Sequence, residues 1–315
     1  MIELYGWPYW HLEKSGKGRA IAHRLEGPWL FEGEEVFPEL GGMRQKVQIG
    51  DFTDFGRALV IDGMTQLPGG DLEGVYTSAL IFPAAISAPS RRRWLIAGGG
   101  DGPAPREALS FHDTEHVKLV DISPMVIRET QRLIPNFWGG RQADPRLEIV
   151  TRDVFAVMRE MAAAGEKVDI LISDLVDLAD EEYTPFQQGE SSGDHLYTPE
   201  GIRLFADCLT HDGVFVMQAQ ELSLIRYDGH LRLRRMLEKV FRRVYSYRVF
   251  IEFFGYWESF LIASNHGWAW APVIVSHRYP AMREVYGGSL GGLYSPEVHE
   301  ALFTLPPELH KKIEG

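Results

Sequence analysis

Between residues 93 and 264, short apolar runs alternate with segments of helical periodicity, and this alternation leaves few folds open. "RWLIAGGG" reads as a buried strand and "PAPREALSF" as a helix, with Pro tolerated in its first turn. "HVKLVDIS", "RLEIVTRD", "KVDILISDL" and "GVFVMQAQ" continue the strands. "PMVIRETQRLI", "VFAVMREMAA", "TPEGIRLFADCL" and "HLRLRRMLEKVF" supply helices between them, the third opened by Thr198 as N-cap. "RVYSYRVF" and "SFLIASN" close the series. Strands alternating with helices of about 10–15 residues predict an α/β chain built on a doubly wound parallel sheet.

Upstream, residues 1–84 read as a small β-rich N-terminal domain. "RQKVQIGDFTDFGRALVIDGMTQL" alternates apolar and polar residues and is punctuated by "GDF", "DFG" and "DGM", as short antiparallel strands are. "YTSALIFPAAI" reads as a helix ending before "SAPSRRR". Residues 85–265 make the Rossmann-like part, and residues 266–315 a helical tail. The stretch from Asp177 to Asp194 has no periodicity. Loops longer than about 12–15 residues are commonly lids or disordered segments; a lid closing over ligand and a plain surface insertion both remain open.

The first strand runs into Gly98, Gly99 and Gly100, and then Asp101. A glycine turn after a buried strand lets a nucleotide approach the backbone. A carboxylate in that turn repels phosphate and suits a ribose or a positive charge. Pro103 breaks the GxGxxG pattern, which further disfavours NAD. Further acids fall at successive strand ends: Asp121 ends "VKLVD", Asp153 follows "LEIVTR", and Asp174 ends "DILISD", with Asp177 three residues later. Ligands of open α/β sheets bind outside the carboxyl ends of the strands, so the fold gathers these acids. An adenosyl ligand without phosphates fits them, with Asp121 on the ribose and Asp153 accepting from the adenine amino group. Gly98, Gly100 and Ile122 are neighbouring candidates for that ligand.

"GGGDG", "RE" (Arg106 and Glu107), "VDIS", "TRD" and "SDLVD" resemble, in order and spacing, the spermidine synthase family of polyamine aminopropyltransferases. "FGRALVIDGMTQ" resembles the family's N-terminal hairpin, "HDGVFVMQ" and "WESFLIASN" its later strands, and "LYSPEVHEALFTLPPEL" the tail of bacterial and archaeal members. "SDLVDLAD" and "LYT" lean toward the branch of thermospermine synthases and triamine or agmatine transferases. The resemblance covers most of the chain. It implies a Rossmann-like, methyltransferase-type domain behind a small β domain, commonly as a homodimer or homotetramer. It implies decarboxylated S-adenosylmethionine as co-substrate, an amine acceptor, and methylthioadenosine as leaving product. On this resemblance Asp101 holds the donor's aminopropyl ammonium, Asp121 the ribose and Asp153 the adenine, while Gln45 and Gln66 frame the donor. Asp174 orients or deprotonates the acceptor and Asp177 binds its charge; Tyr76 and Trp257 join the substrate side.

Aligned on Gln66, Asp71 and Pro83, the family's Tyr falls on Val75, its His or Gln on Tyr76, its Glu on Thr77 and a later His on Ile81. The Pro after DxxD is Leu178. The acceptor side is therefore expected to lose polar groups while the donor-side acids remain. That leaves two other readings: methyl transfer from S-adenosylmethionine on the same scaffold, or a non-catalytic polyamine or nucleoside binder. Asp177 and Asp180 have the alternative of capping the next element. Trp257 has a choice between an alkyl chain or cation and core packing.

A formal net charge of −12 argues against a nucleic-acid binder, which needs a basic face. The single cysteine, Cys208, excludes an intrachain disulfide and reads as a small buried hydrophobe. The eleven histidines show no ligating spacing, so no metal is expected. No run of about 18 apolar residues exists to span a membrane. The first residues have no basic start followed by an apolar run. A cytoplasmic protein is expected.

Overall fold

The alternation of the N-terminal sequence folds into two antiparallel sheets. The computed structural model describes residues 6–15, 19–175, 197–265 and 272–314. Strands β1 (Trp10–Ser15) and β2 (Arg19–Arg24) form a ribbon. Strands β3 (Phe31–Phe37), β4 (Met43–Phe52), β5 (Gly56–Ile61) and β6 (Met64–Pro68) form a meander in that order.

The large sheet contains β7 (Arg93–Gly98), β8 (His116–Asp121), β9 (Leu147–Thr151), β10 (Val168–Asp174), β11 (Leu209–Glu221), β12 (Arg243–Ile251) and β13 (Tyr256–Ser264). Their order across the sheet is β12-β13-β11-β10-β7-β8-β9. The five strands from β11 to β9 are parallel, whereas β13 runs antiparallel to both β11 and β12. The sheet is thus mostly parallel, with an antiparallel hairpin at one edge.

Successive side chains on these strands point to opposite faces, and both faces are buried. Trp94, Ile96, Ile170, Ile172, Phe260 and Ile262 join one cluster, while Leu95, Ala97, Leu171, Leu261 and Ala263 join the other. On the second face lie α5 (Val154–Ala164), α6 (Pro199–Asp207) and α7 (Asp228–Leu237), through Met158, Phe205 and Leu233. Thr198 Oγ1 caps α6, accepting from Gly201 N at 3.0 Å. Cys208, just beyond α6, is wholly buried and free.

The first face carries α1 (Glu73–Ser87), the short α2 (Pro103–Ala108), and α3 (Pro124–Leu133) with α4 (Pro135–Trp138). The sequence groups α1 with the N-terminal domain, but the helix packs on the large sheet. The reason is its composition: Ala79, Leu80, Ile81, Phe82, Ala84 and Ala85 are all buried. A helix apolar on every side needs cover on every side. The Tyr247 hydroxyl of β12 also donates to Ala79 O at 2.9 Å. The tail, α8 (Pro272–Val285), α9 (Pro296–Phe303) and α10 (Pro307–Glu314), is no loose appendage. Tyr286, Tyr294 and Leu302 enter the same core as α1.

The small meander is fastened over the start of α3. Glu35 of β3 accepts from Met125 N at 2.9 Å and from the Ser123 hydroxyl, and Arg57 Nη1 donates to Leu133 O at 3.0 Å. This joins the meander to α3, the helix that follows β8. Among the described residues, no helix is long and apolar enough to cross a membrane.

Candidate active site

Strand order reverses between β7 and β10, the position where open α/β sheets make their ligand crevice. There Gly98 is the register partner of Asp174. Gly98 has φ +80°, and a Cβ on it would stand 2.0 Å from Asp174 O. A Cβ on Gly100 would stand 2.5 Å from the Asp121 carboxyl carbon. Gly98 therefore lets the main chain of Asp174 close on the turn, and Gly100 lets the Asp121 carboxylate do so.

Each acid is held by the chain around it. Asp121 accepts from Gly100 N at 2.9 Å and Ser123 N at 2.8 Å. The half-buried Ile122 adds its backbone to the same carboxylate. Asp101, nearly buried, accepts from Gly102 N at 2.9 Å. Asp174 Oδ1 accepts the Tyr76 hydroxyl at 2.6 Å. Its other oxygen lies over the turn, 3.8 Å from where a Cβ on Gly99 would be. Asp121 and Asp174 are only half-buried, so a ligand can reach them.

Burial raises all three carboxyls, and neighbouring acids add to each rise: Asp174, Asp121 and Glu73 on Asp101, Asp121 on Asp174, and Glu35 on Asp121. Asp101 is pushed well above the usual carboxylate range by burial, then by Asp174, Asp121 and Glu73. Burial lifts Asp174 to about 6, with the Tyr76 hydrogen bond opposing and Asp121 adding to the rise. Asp121 is raised by burial, against backbone hydrogen bonds that favour its charge. Among the described residues, the charged neighbours that shift these titrations most are acids. Such a cluster ionises most readily when a cation arrives.

Tyr76 meets Asp174 because α1 begins at the carboxyl end of β10 and runs along the sheet toward its amino end. Its ring is buried against Phe254 and Phe260. Positions 75 and 81 are apolar as read from the sequence, while Thr77 joins a buried polar network. Thr77 Oγ1 donates to Glu73 Oε1 at 2.5 Å, and Glu73 takes Arg106 Nη2 at 3.0 and 3.1 Å. Arg106 Nε donates to Glu107 at 2.6 Å, and Glu107 also accepts the Tyr286 hydroxyl. Positions 73 and 77 are one helical turn apart and share a face. Glu73 thus places a buried carboxylate one turn before position 77, bonded to Thr77 and Arg106. Ile81 is wholly buried in the core, and Val75 packs against that core.

Glu258 is a second residue that sequence reasoning missed. It is buried on β13 beside the quoted Trp257, and its charge helps raise the Tyr76 phenol. Strand alternation offered the signal: Glu258 shares a face with Phe260, which touches Tyr76. Trp257 points the other way, 40% exposed, with Phe250 and the Arg248 guanidinium for neighbours.

The remaining candidates are dispersed. Gln45 on β4 is buried and its Oε1 has no hydrogen-bond partner among the described residues. Gln66 on β6 donates to Met64 O at 3.1 Å. Asp153 caps α5, accepting from Phe155 N at 3.0 Å and Ala156 N at 3.2 Å. Asp177, Asp180 and the stretch to Asp194 lie outside the described residues, as does Leu178. Among the described residues, no group of three His, Cys, Asp or Glu is disposed to hold a metal ion.

The order of the large sheet and an acidic crevice at its switch point define a Rossmann-like, methyltransferase-type protein with a small N-terminal β domain. More narrowly, the chain belongs to the spermine/spermidine synthase family, whose domain matches residues 73–270. It is 33% identical over 236 residues to polyamine aminopropyltransferase 1 of Hyperthermus butylicus, covering 75% of this chain and 77% of that one. With the polyamine aminopropyltransferase of Sulfolobus acidocaldarius it is 30% identical over 315 residues, covering 99% and 95% of the two chains. The spermidine synthase structure from Thermotoga maritima superposes with a TM-score of 0.79 at 23% identity, over 98% of this chain and 94% of the other. A spermidine synthase in complex with the transition-state analogue AdoDATO gives 0.78 at 24% identity, over 97% and 94%.

Proposed function

We propose that the protein transfers an aminopropyl group from decarboxylated S-adenosylmethionine to an amine acceptor. The observation that carries this reading is the gathering of Asp101, Asp121 and Asp174 at one crevice, where the charged neighbours that shift them most, among the described residues, are acids. Three raised carboxyls want a cationic ligand. Decarboxylated S-adenosylmethionine has a sulfonium and a terminal ammonium, and the acceptor amine adds a further cation. The intact donor carries a carboxylate at the end that Asp101 would face, which weighs against methyl transfer.

In this reading Asp121 binds the ribose hydroxyls. Asp153 keeps its capping bonds while accepting from the adenine amino group. Gln45, with its unpartnered buried oxygen, and Gln66 border the donor. Asp101 holds the aminopropyl ammonium. The acceptor reaches the site as an ammonium and must lose a proton before it has a lone pair. Asp174 takes that proton, and a carboxyl lifted to about 6 is better matched to this task than an ordinary aspartate. The freed nitrogen attacks the methylene carbon beside the sulfonium. The carbon–sulfur bond breaks, its electron pair goes to sulfur, and neutral methylthioadenosine leaves. A binder would need the charges but no group tuned toward proton transfer.

The test is product analysis with a panel of diamines and triamines. Methylthioadenosine and an aminopropylated amine are expected from the decarboxylated donor. S-adenosylhomocysteine and a methylated amine would establish the methyltransferase reading, and no product with tight binding would establish the binder.

A further inference from the structure

We propose that Glu258 is a specificity-determining residue on the acceptor side: it holds a second cationic group of the acceptor amine, at the end remote from the attacking nitrogen. This rests on the aminopropyl-transfer reading and extends it, by naming the residue that separates acceptors with two cationic groups from those with one.

Placement carries the argument. β10, which ends at Asp174, stands in the middle of the large sheet. β7 and β8, which lead to the donor-side Asp101 and Asp121, lie to one side of it, and β11 and β13 to the other. Ser173 is level with Met217 of β11, and Gln218 with Phe260 of β13, so Asp174 is level with Phe260. Glu258 lies two residues farther toward the carboxyl ends of the parallel strands, where it pairs with Glu221. Two strand spacings and two residues put the Cα atoms of Asp174 and Glu258 roughly 12 Å apart. Two carboxylates at that reach can be joined by an aliphatic chain with an ammonium at each end. The donor takes the β7 and β8 side of Asp174, so the free end of the acceptor is left the β13 side.

The orientation of Glu258 agrees. Along β13 the buried Glu258 shares a face with Phe260, whose ring packs on Tyr76. Its charge acts on the Tyr76 phenol, as that of Asp174 does. Both acids thus face one tyrosine, one from β10 and one from β13. The rings of Phe254 and Phe260, packed on Tyr76, supply apolar surface for an alkyl chain. The family resemblance sets Trp257 on the substrate side, but strand alternation turns Trp257 outward beside Arg248 and Glu258 inward. In place of an aromatic wall, this chain presents a carboxylate. A buried carboxylate distinguishes a charged chain end from a methyl group far more sharply than an aromatic ring does.

The experiment is calorimetric titration of the methylthioadenosine-saturated protein with diamines from diaminopropane to diaminooctane, each beside the monoamine of the same chain length. In wild type the best-fitting diamine is expected to bind at least about tenfold more tightly than its monoamine, the worth of one charge-assisted hydrogen bond. Glu258→Gln should cut that advantage to about threefold or less, while monoamine affinity stays within about twofold. Methylthioadenosine binding reports that the variant is folded. Equal losses for diamine and monoamine, or an advantage that survives in the variant, would show that Glu258 serves only the fold, and overturn the proposal. The absence of any diamine advantage in wild type would overturn it as well. Should Glu258→Gln misfold, Glu258→Asp keeps the charge and withdraws it by one methylene. Its best-fitting diamine is expected to be one carbon longer than that of wild type, and an unmoved optimum would overturn the proposal. Failure of the underlying reading looks different, because wild type would then make no methylthioadenosine from the decarboxylated donor with any amine, whatever its affinities.

Discussion

The two halves of the crevice are built by different means. On the donor side, Asp121 and Asp101 are held by main-chain N–H groups of Gly100, Gly102 and Ser123, at sequence separations of 21, 1 and 2. On the acceptor side, Tyr76 reaches Asp174 across 98 residues, and the buried network that starts at Glu73 on the same helix joins Arg106 across 33 and, through Glu107, Tyr286 across 179. A half made from contiguous turns leaves little room for change, because a Cβ on Gly100 would strike the Asp121 carboxylate and one on Gly102 the Trp138 ring. A half made from side chains on packed elements can exchange residues, provided the missing group returns from a neighbouring position. Glu73, one turn before Thr77 and bonded to it, is a carboxylate held in this second way.

The largest effect that would sharpen this contrast is expected at Asp174. Asp174→Asn should lower kcat by about 100- to 10,000-fold, the usual range for loss of a general base. Methylthioadenosine affinity should barely move, since the donor half stays intact; a large loss of affinity in calorimetry would erase the division between halves. Next comes the buried ion pair. Glu73→Gln removes one of two carboxylates from buried Arg106 and should cost about 3 kcal/mol in chemical denaturation. Adding Thr77→Glu to that variant should recover part of the loss, because the new carboxylate lies one turn along the same helix face. No recovery would mean that the two positions are not interchangeable.

A smaller loss is expected at the ribose. Asp121→Ala should weaken methylthioadenosine by roughly 10- to 100-fold, the worth of hydrogen bonds to a charged group. Unchanged binding would detach the donor half from its acids. The smallest effect is on stability without ligand. The folded carboxyl of Asp174 titrates near 6, above the value of an unfolded aspartate. Its contribution is fully present below about pH 4 and is lost as pH rises through 6, so this acid destabilises the free protein on going from pH 4 to 7. Thermal melts of wild type and Asp174→Asn should diverge across that window, with the variant gaining relative to wild type as pH rises. Parallel curves would mean that Asp174 is not strained in the free protein.

This contrast also explains what could be read from the sequence. The alternation from residue 93 carries the large sheet, and "GGGDG" and "VDIS" carry the donor half, because local turns and strand ends write themselves in adjacent letters. The placement of α1 was not legible in the same way, since an all-apolar helix says that it is covered but not by what. Glu73, Arg106 and Tyr286 meet only after three segments have packed. Position-by-position comparison at 75 to 77 registers the lost carboxylate and is blind to the buried one four residues earlier. Tyr76 was legible as a residue of the substrate side, but its bond to Asp174 depends on where the helix lies. Glu258 was hidden beside Trp257, although strand alternation separates the faces of the two.

The central claim is that this crevice reads positive charge at the donor's aliphatic end. The most direct measurement is calorimetric titration of the wild-type protein with decarboxylated and with intact S-adenosylmethionine at the same pH and salt. The decarboxylated form is expected to bind at least about tenfold more tightly, as a charge contact of ~1–3 kcal/mol gives, and Asp101→Asn should narrow that ratio. Equal affinities, or tighter binding of the intact donor, would contradict the account.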